Sequence, residues 1–241
     1  MSHDPLSTRC RLAPGVYLAR QEDIVRLLDL DRGRFYGLDA IASLLLTLTL
    51  EHGAERAITD VAHAYRVEET RVRKDLETLQ ATLRERRLLD VGESGHSTFG
   101  RRLPRWLSGP CRVRHAFTAH LASRMLRRAW WSLRIHGWAS TLELWRRPTG
   151  PIQVIGGAAI DAVDTAIRDA AALQLLFPVA CKERAIVGYH VLRVVHDLPA
   201  ALVIGVQHYP FGAHAWVEIG GRIVTDDAGH CADFEPVARF E

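Results

Sequence analysis

The sequence predicts an α+β protein of two domains, an N-terminal winged-helix-like domain and a larger C-terminal domain. Three observations support this division. Residues 1–95 carry short β-type runs followed by helical patterns, and a polar, glycine-rich stretch, GESGHSTFG, lies at 92–100. Beyond it, helical patterns again come before alternating strands. We therefore predict domains at 1–95 and 105–241, joined by a linker at 96–104.

The first domain is predicted from a change of period within residues 1–95. Strands are expected at 16–20, 23–30 and 34–38, where β-prone residues are bounded by turn residues. Helices are expected at 40–52, after the cap Asp39 and ending at Gly53; at 60–65, after the cap Thr59; and at 68–87. Three strands followed by three helices are typical of a winged-helix-like module.

Charge is unevenly distributed along the chain, although its net value is only +3. Residues 1–95 carry 14 Lys and Arg against 16 Asp and Glu, residues 96–150 carry 11 Arg against a single Glu, and residues 151–241 carry 6 basic against 11 acidic residues. A DNA-binding winged helix needs an excess of positive charge, which residues 1–95 lack. We therefore expect no nucleic acid partner, and a DNA-binding regulator remains only the alternative from another functional class.

Several classes of site have no signature in the sequence. The four cysteines have no short paired spacing, and no HExxH motif occurs, so we predict neither a metal site nor a disulfide framework. The phosphate-loop pattern is absent as well, and no cofactor is predicted. No apolar run reaches transmembrane length, and the first twenty residues lack a signal-peptide core. We expect a cytoplasmic protein without a transmembrane segment.

Tryptophan and arginine are concentrated in residues 105–147. This segment lies between the strands predicted in the first domain and those predicted in the second. One interpretation is an amphipathic helical pair that packs Trp130, Leu133, Leu142 and Trp145 on the core and leaves arginines in water. A membrane-surface helix and a docking face for a partner enzyme are the alternatives. A further helix is predicted from the apolar spacing of Ile160, Val163, Ile167 and Ala171.

Cys181 opens the next helical pattern. Pro178 suits the first helical position, and apolar residues then recur at helical spacing as far as Val195. In a first helical turn, unpaired N–H groups and the positive end of the helix dipole favour a thiolate over a thiol. A free cysteine is more often a small buried apolar residue, so the interpretation depends on its partners.

A histidine and two aspartates follow in a predicted β-hairpin. His214 opens an alternating strand, and Gly220-Gly221 turns the chain back toward Asp226 and Asp227. A two-residue turn would place His214 opposite Asp227, whereas a three-residue loop would place it opposite Asp226. The Gly-Gly dipeptide favours the two-residue turn. Cysteine, histidine and aspartate in this order suit a thiol hydrolase, which needs a nucleophile, a base and a carboxylate that orients the base.

The C-terminal portion resembles the transglutaminase-like cysteine protease of lasso-peptide biosynthesis, the B protein. The resemblance is carried by Cys181 with Arg184-Ala185, LVIGV at 202–206, Pro210-Phe211, AHAWVE at 213–218, Gly221 and Asp226. It implies a transglutaminase-like or papain-like cysteine protease fold with the catalytic residues Cys181, His214 and Asp226. The family's third catalytic residue falls twelve positions after the histidine, so we expect the three-residue loop or a bulge.

The phrase DIVRLLDLDRGRFYGLDAIASLLL in the first domain resembles the PqqD-like precursor-recognition domain, which precedes the protease in the B proteins. In that family the leader peptide adds as a strand beside the third strand and touches the third helix, an instance of β-augmentation. The resemblance implies eight leader-binding candidates: Arg34, Phe35, Tyr36, Leu38, Arg71, Lys74, Asp75 and Thr78. Taken one at a time, the charged helix residues are also typical of a solvated face.

These resemblances together imply a leader peptidase. It would bind the leader of a ribosomally made lasso-peptide precursor, cleave it, and pass the core peptide to a separate asparagine-synthetase-like cyclase. Because the same three residues also serve acyl transfer, a transglutaminase or arylamine acetyltransferase type of reaction is the alternative within the enzymes.

Overall fold

The computed structural model describes residues 10–21, 24–90, 108–113, 116–146 and 156–241. The chain divides into two compact units, Met1–Thr98 and Phe99–Glu241. The linker predicted at 96–104 lies outside the described residues, and the exact domain limits remain predictions. Both units combine helices with antiparallel strands, which confirms the α+β class.

The N-terminal unit contains two small antiparallel sheets and three helices. Strands β2 (Val16–Gln21), β3 (Ile24–Asp29) and β4 (Arg34–Gly37) pair in that order, and β1 (Arg11–Leu12) pairs with β5 (Leu89–Asp90). The helices are α1 (Ala40–His52), α2 (Ala54–Tyr65) and α3 (Glu69–Glu85). The three predicted strands and three predicted helices are therefore present, and the Asp39 carboxylate accepts a hydrogen bond from Ala42 N–H as the predicted cap of α1.

The prediction for the second helix was wrong at its start. Helix α2 begins at Ala54, directly after Gly53, and not after Thr59. Its buried face starts at Ala54 and continues through Ala57, Ile58 and Val61, so packing extends the helix backward. The Thr59 hydroxyl, which was expected to cap the helix, instead hydrogen-bonds Glu69 Oε1 at 3.1 Å.

The longer helices of the C-terminal unit precede its sheet in the sequence. Helix α4 spans Ala119–Trp145, and its backbone is non-helical at Gly137. It occupies the segment in which a pair of helices was predicted. Burial of Leu142 and Trp145 confirms the packing interpretation for these two residues. Helix α5 spans Gly157–Ala172, and helix α6 spans Cys181–Tyr189 and continues as a π-helical turn, His190–Val195. No helix in the described part of the chain is long and apolar enough to cross a membrane.

A four-stranded antiparallel sheet of order β8-β7-β6-β9 completes this unit. Its strands are β6 (Ala200–His208), β7 (Phe211–Ile219), β8 (Arg222–Val224) and β9 (Glu235–Phe240), and the short helix α7 (Ala228–Cys231) precedes β9. Strands β6 and β7 stay paired as far as His208 and Phe211, so the connection between them is a tight turn at 209–210. Helix α6 packs on β7, the inner strand that carries His214.

Candidate active site

The hairpin between β7 and β8 is closed by a two-residue turn. Ile219 pairs with Arg222 and Val217 with Val224, while Gly220 and Gly221 have φ values of 55° and 81°. Two consecutive left-handed residues are what a type I′ turn requires, and glycine adopts that conformation without steric cost. The three-residue loop that we expected from the family spacing is therefore wrong.

Asp226 nevertheless contacts His214, because the chain leaves the ladder before reaching it. Strand β8 ends at Val224, and Thr225 has a left-handed φ of 75°. This residue breaks the strand alternation, so that Asp226 Oδ2 lies 2.9 Å from His214 Nε2. Asp227 is turned elsewhere, since its carboxylate accepts a hydrogen bond from His230 N–H and caps helix α7.

Cys181 is the first residue of helix α6 and is half-buried. The prediction that Pro178 occupies the first helical position was wrong, because the helix begins three residues later. Glu183 accounts for this start: its Oε2 accepts a hydrogen bond from Ala180 N–H at 2.9 Å, which closes the first turn. The N–H group of a first-turn residue has no partner within its own helix, so the Cys181 amide is suited to bind an oxyanion.

Two neighbouring side chains set the protonation of the His214 ring. Asp226 Oδ2 lies 2.9 Å from Nε2, and Cys181 is the other side chain that favours the charged form of this imidazole. Burial by itself lowers the pKa of His214, but its hydrogen bonds to Asp226 and Cys181 outweigh burial and raise the pKa to about 9. A raised pKa makes His214 a stronger base, which suits it to accept a proton from a thiol.

Arg184 is a charged neighbour of this pair that the sequence analysis did not assign to the site. It follows Cys181 by three residues on α6, and its Nη2 lies 2.6 Å from the same Asp226 oxygen that contacts His214. Burial raises the pKa of Asp226, but hydrogen bonds from His214 and the Asp227 N–H, together with the Arg184 charge, lower it overall. The sequence signal for Arg184 was its position three residues after Cys181, because residues at this spacing are neighbours on the surface of a helix.

Aromatic rings enclose the imidazole. His214 stacks with Trp216 at 6.0 Å between ring centroids, lies 4.9 Å from Phe234, and meets His230 edge to face at 4.7 Å. His214 and Asp226 are both buried. This enclosure limits access of water to the two side chains and strengthens the electrostatic interaction between them.

Cys231 is a second thiol beside His214 and Asp226. Its sulfur, a His214 ring nitrogen and an Asp226 oxygen all lie within 4.8 Å of one another, a set of groups that could in principle hold a metal ion. Burial and the nearby carboxylates raise the pKa of the Cys231 thiol to about 12. The Cys231 thiol is therefore largely protonated near neutral pH. The same protonation makes Cys231 a poor nucleophile.

The predicted leader-binding residues lie together in the N-terminal unit. Arg71, Lys74, Asp75 and Thr78 form an exposed stripe on α3, and the Thr78 hydroxyl donates to Lys74 C=O. On β4 and just after it, Arg34 is exposed and Phe35 half-buried, while Tyr36 and Leu38 pack against the hydrophobic core of this unit. The last two therefore contribute to the core of the domain.

Comparison with known proteins matches each half of the chain to a family. Residues 25–89 match coenzyme PQQ synthesis protein D, and residues 121–239 match the transglutaminase-like superfamily. No protein of curated function matches the sequence.

Two solved structures are similar to part of the chain. One is TbiB1 in complex with the TbiA(beta) leader peptide, with 29% identity over 34% of this chain and 95% of that chain at a TM-score of 0.32. The other is a lasso peptide synthetase B1 complexed with the leader peptide, with 25% identity over 34% of this chain and 99% of that chain at a TM-score of 0.33. Both TM-scores are low, so the assignment is carried by the two family matches. The chain thus consists of a PqqD domain followed by a domain of the transglutaminase-like superfamily.

Proposed function

We propose that the C-terminal unit is a cysteine peptidase in which Cys181 is the nucleophile, His214 the general base and acid, and Asp226 the orienting carboxylate. The observation that carries this proposal is the 2.9 Å contact between His214 and Asp226, with Cys181 at the start of the helix that packs on the strand of His214, within a transglutaminase-like domain. It has the three elements of an activated thiol: a nucleophile, a base and a third group that orients the base.

The reaction follows from these positions. His214 takes the Cys181 proton, and the thiolate attacks the scissile carbonyl carbon, forming a carbon–sulfur bond. The oxyanion is stabilised by the Cys181 amide at the start of α6, and such a donor contributes about 3 kcal/mol. The carbon–nitrogen bond then breaks as the imidazolium protonates the leaving amine. Water attacks the resulting thioester with His214 again as base, which releases a carboxylate and restores the thiol.

We further propose that the substrate is a lasso-peptide precursor whose leader is bound by the PqqD domain. In described residues, β4 is a terminal strand of its sheet, and the exposed stripe of α3 belongs to the same unit. A leader strand could pair along this edge while its side chains contact the helix. After cleavage, the freed core amine would go to a separate asparagine-synthetase-like cyclase.

Peptidase activity is tested by mass spectrometry on synthetic precursor peptides. Cys181→Ala and His214→Ala should abolish cleavage while leaving leader affinity within about twofold of the parent, and Asp226→Ala should be milder. Cys231→Ala is the matched control, because it removes a thiol from the same site and should preserve cleavage. Cleavage by Cys181→Ala at the parental rate would rule out this mechanism.

Acyl transfer is the second candidate, favoured by the superfamily to which residues 121–239 match. The same thioester can be resolved by an amine in place of water. Peptide hydrolysis yields fragments that together gain the mass of one water, whereas transfer yields a product carrying the acceptor amine. Incubating the protein with the precursor and a primary amine, and weighing the products, distinguishes the two outcomes.

Leader binding is tested separately by fluorescence polarisation with a labelled leader peptide. Alanine at Arg71 and Lys74 removes two charges from the α3 stripe and should weaken binding by roughly tenfold, as expected for contacts of about 1.4 kcal/mol. Arg56→Ala on α2 is the matched control, because Arg56 is an exposed arginine of the same unit outside the stripe. Equal affinities for all three proteins would contradict the α3 assignment.

A further inference from the structure

The backbone of Thr225 determines where the Asp226 carboxylate lies, although the conformation of Thr225 is itself unfavourable. A β-branched residue at a φ of 75° is uncommon, because its side chain crowds the backbone in that conformation. Such a conformation persists only where surrounding contacts hold it. Since Asp226 follows directly, whatever holds Thr225 also determines where the Asp226 carboxylate lies.

Helix α5 supplies two contacts to this backbone. Asp164 Oδ1 accepts a hydrogen bond from Thr225 N–H at 2.7 Å, and Arg168 Nη2 donates to the backbone carbonyl of Asp226. Arg168 also donates from Nε to Asp164 Oδ1 at 3.1 Å. Asp164 and Arg168 lie one helical turn apart on α5. Together they bind the N–H group of Thr225 and the carbonyl group of Asp226.

Helix α6 holds the same residue from its other side. A Cβ atom at Gly188 would lie 2.3 Å from Thr225 Cγ2, so the Thr225 methyl group sits directly against the helix backbone. Thr225 itself is 1% exposed. Thr225 is thus confined between α6, which carries the nucleophile, and α5, which has no residue in the Cys181–His214–Asp226 chain.

We propose that Asp164 and Arg168 are positioning residues, which fix the backbone of Thr225 and Asp226 so that Asp226 Oδ2 reaches His214. Neither side chain contacts the imidazole or the thiol; each acts through Asp226. This inference rests on the proposed function for its catalytic consequence, whereas the effect on the His214–Asp226 contact can be measured without a substrate.

The chain provides a matched control on the same helix. Asp161 forms an ion pair with Arg222, so it also connects α5 to β8, but both side chains are 57% exposed and neither touches the Thr225–Asp226 backbone. Asp161→Ala therefore removes an aspartate of α5 and an α5–β8 contact while leaving the proposed support in place. Asp164→Asn is the conservative variant, because its amide oxygen can still accept from Thr225 N–H.

The test uses the full-length chain and two readouts. The first is the titration of His214 by NMR of its ring nitrogens, and the second is steady-state cleavage of a precursor peptide. Asp164→Ala and Arg168→Met should lower the pH at which His214 loses its proton and reduce kcat by about 10- to 100-fold, with KM within about twofold. Asp164→Asn should recover most of both values, and Asp161→Ala should match the parent. The thermal midpoint of each variant shows whether it is folded.

Each result has a defined meaning. If Asp164→Ala does not fold, Asp164→Asn and Arg168→Met carry the comparison with Asp161→Ala. An unchanged His214 titration in folded Arg168→Met, or an equal change in Asp161→Ala, overturns the positioning role. If the His214 titration shifts as expected but the parent protein cleaves no peptide, the positioning role stands and the proposed peptidase function fails.

Discussion

Nε2 of His214 lies 2.9 Å from Oδ2 of Asp226, and each of the two side chains is 8% exposed. A carboxylate this close stabilises the imidazolium more than the neutral ring. The pKa of His214 rises to about 9 as a net result of burial, which opposes charge, and the hydrogen bonds to Asp226 and Cys181, which favour it. The free energy of unfolding should therefore depend on pH through the protonation of His214.

We predict that the protein loses stability as the pH rises from about 6.5 to above 9. The folded-state pKa of His214 exceeds its ordinary value of 6.5, so the stabilisation is complete below 6.5 and disappears as pH rises through 9. A shift of this size corresponds to about 3 kcal/mol. Urea unfolding across this range measures the effect.

Asp226→Asn provides the comparison for this prediction, since it removes the charge and keeps the shape of the side chain. Its unfolding free energy should fall much less between pH 6.5 and 9.5 than that of the parent. Parallel curves for the two proteins would show that the pH dependence arises elsewhere in the chain.

Arg184→Gln should make the protein more sensitive to acid. The pKa of Asp226 is lowered overall, so its contribution to stability is present above its ordinary value and is lost as pH falls through the folded-state value. Without the Arg184 charge that pKa is lowered less, and the charge-assisted hydrogen bond, worth roughly 1.5–3 kcal/mol, is lost. Circular dichroism during acid titration should show the unfolding midpoint at a higher pH.

Arg193→Gln is the matched control for Arg184→Gln. Arg193 lies in the π-helical turn after α6 and pairs with Asp197 at 3.3 Å, but these side chains are 37% and 60% exposed. Exposed pairs contribute little to stability, so its acid midpoint should match the parent. A shift equal to that of Arg184→Gln would indicate a general charge effect.

The sequence pattern predicted which helices and strands are present in both units better than it predicted the residues at which they begin and end. Periodicity located α1 and α3, because a buried face repeats over several turns in each helix. It missed the start of α2 at Ala54 and of α6 at Cys181, which depend on a buried alanine and on the Glu183 carboxylate that closes the first turn. Contacts of single side chains such as these leave no periodic signal.

The three residues singled out at the candidate site do lie together, but the reasoning about their geometry failed at Thr225. Counting residues along a hairpin to find opposite pairs assumes that both strands are continuous. Strand β8 ends at Val224, and the left-handed Thr225 then redirects the chain. A β-branched residue gives no sequence hint of positive φ. The contacts of Asp164 and Arg168 with this backbone span about sixty positions in the chain and were equally inaccessible to pattern analysis.

Gly188→Ala should destabilise the C-terminal unit and lower activity together. The added methyl group would lie 2.3 Å from Thr225 Cγ2, so either α6 or the Thr225–Asp226 backbone must move. Overpacking of this kind costs about 1–3 kcal/mol. Gly157→Ala is the matched control, because its added methyl group meets no atom within 4 Å and α5 gains helix propensity. Thermal unfolding and peptide cleavage should leave Gly157→Ala unharmed; equal losses in both variants would contradict the steric explanation.

Iodoacetamide should distinguish the two thiols near His214, because alkylation requires the thiolate. Cys231 is 2% exposed, and burial with the nearby carboxylates raises its pKa to about 12, so it should stay unmodified near neutral pH. Cys181 is half-buried in the first turn of α6, where the positive end of the helix dipole favours the thiolate, so it should react first. Peptide mass spectrometry after brief labelling at pH 7 reports both sites. Labelling of Cys231 before Cys181 would reverse the assignment of the nucleophile, whereas His214→Ala should slow labelling of Cys181 alone.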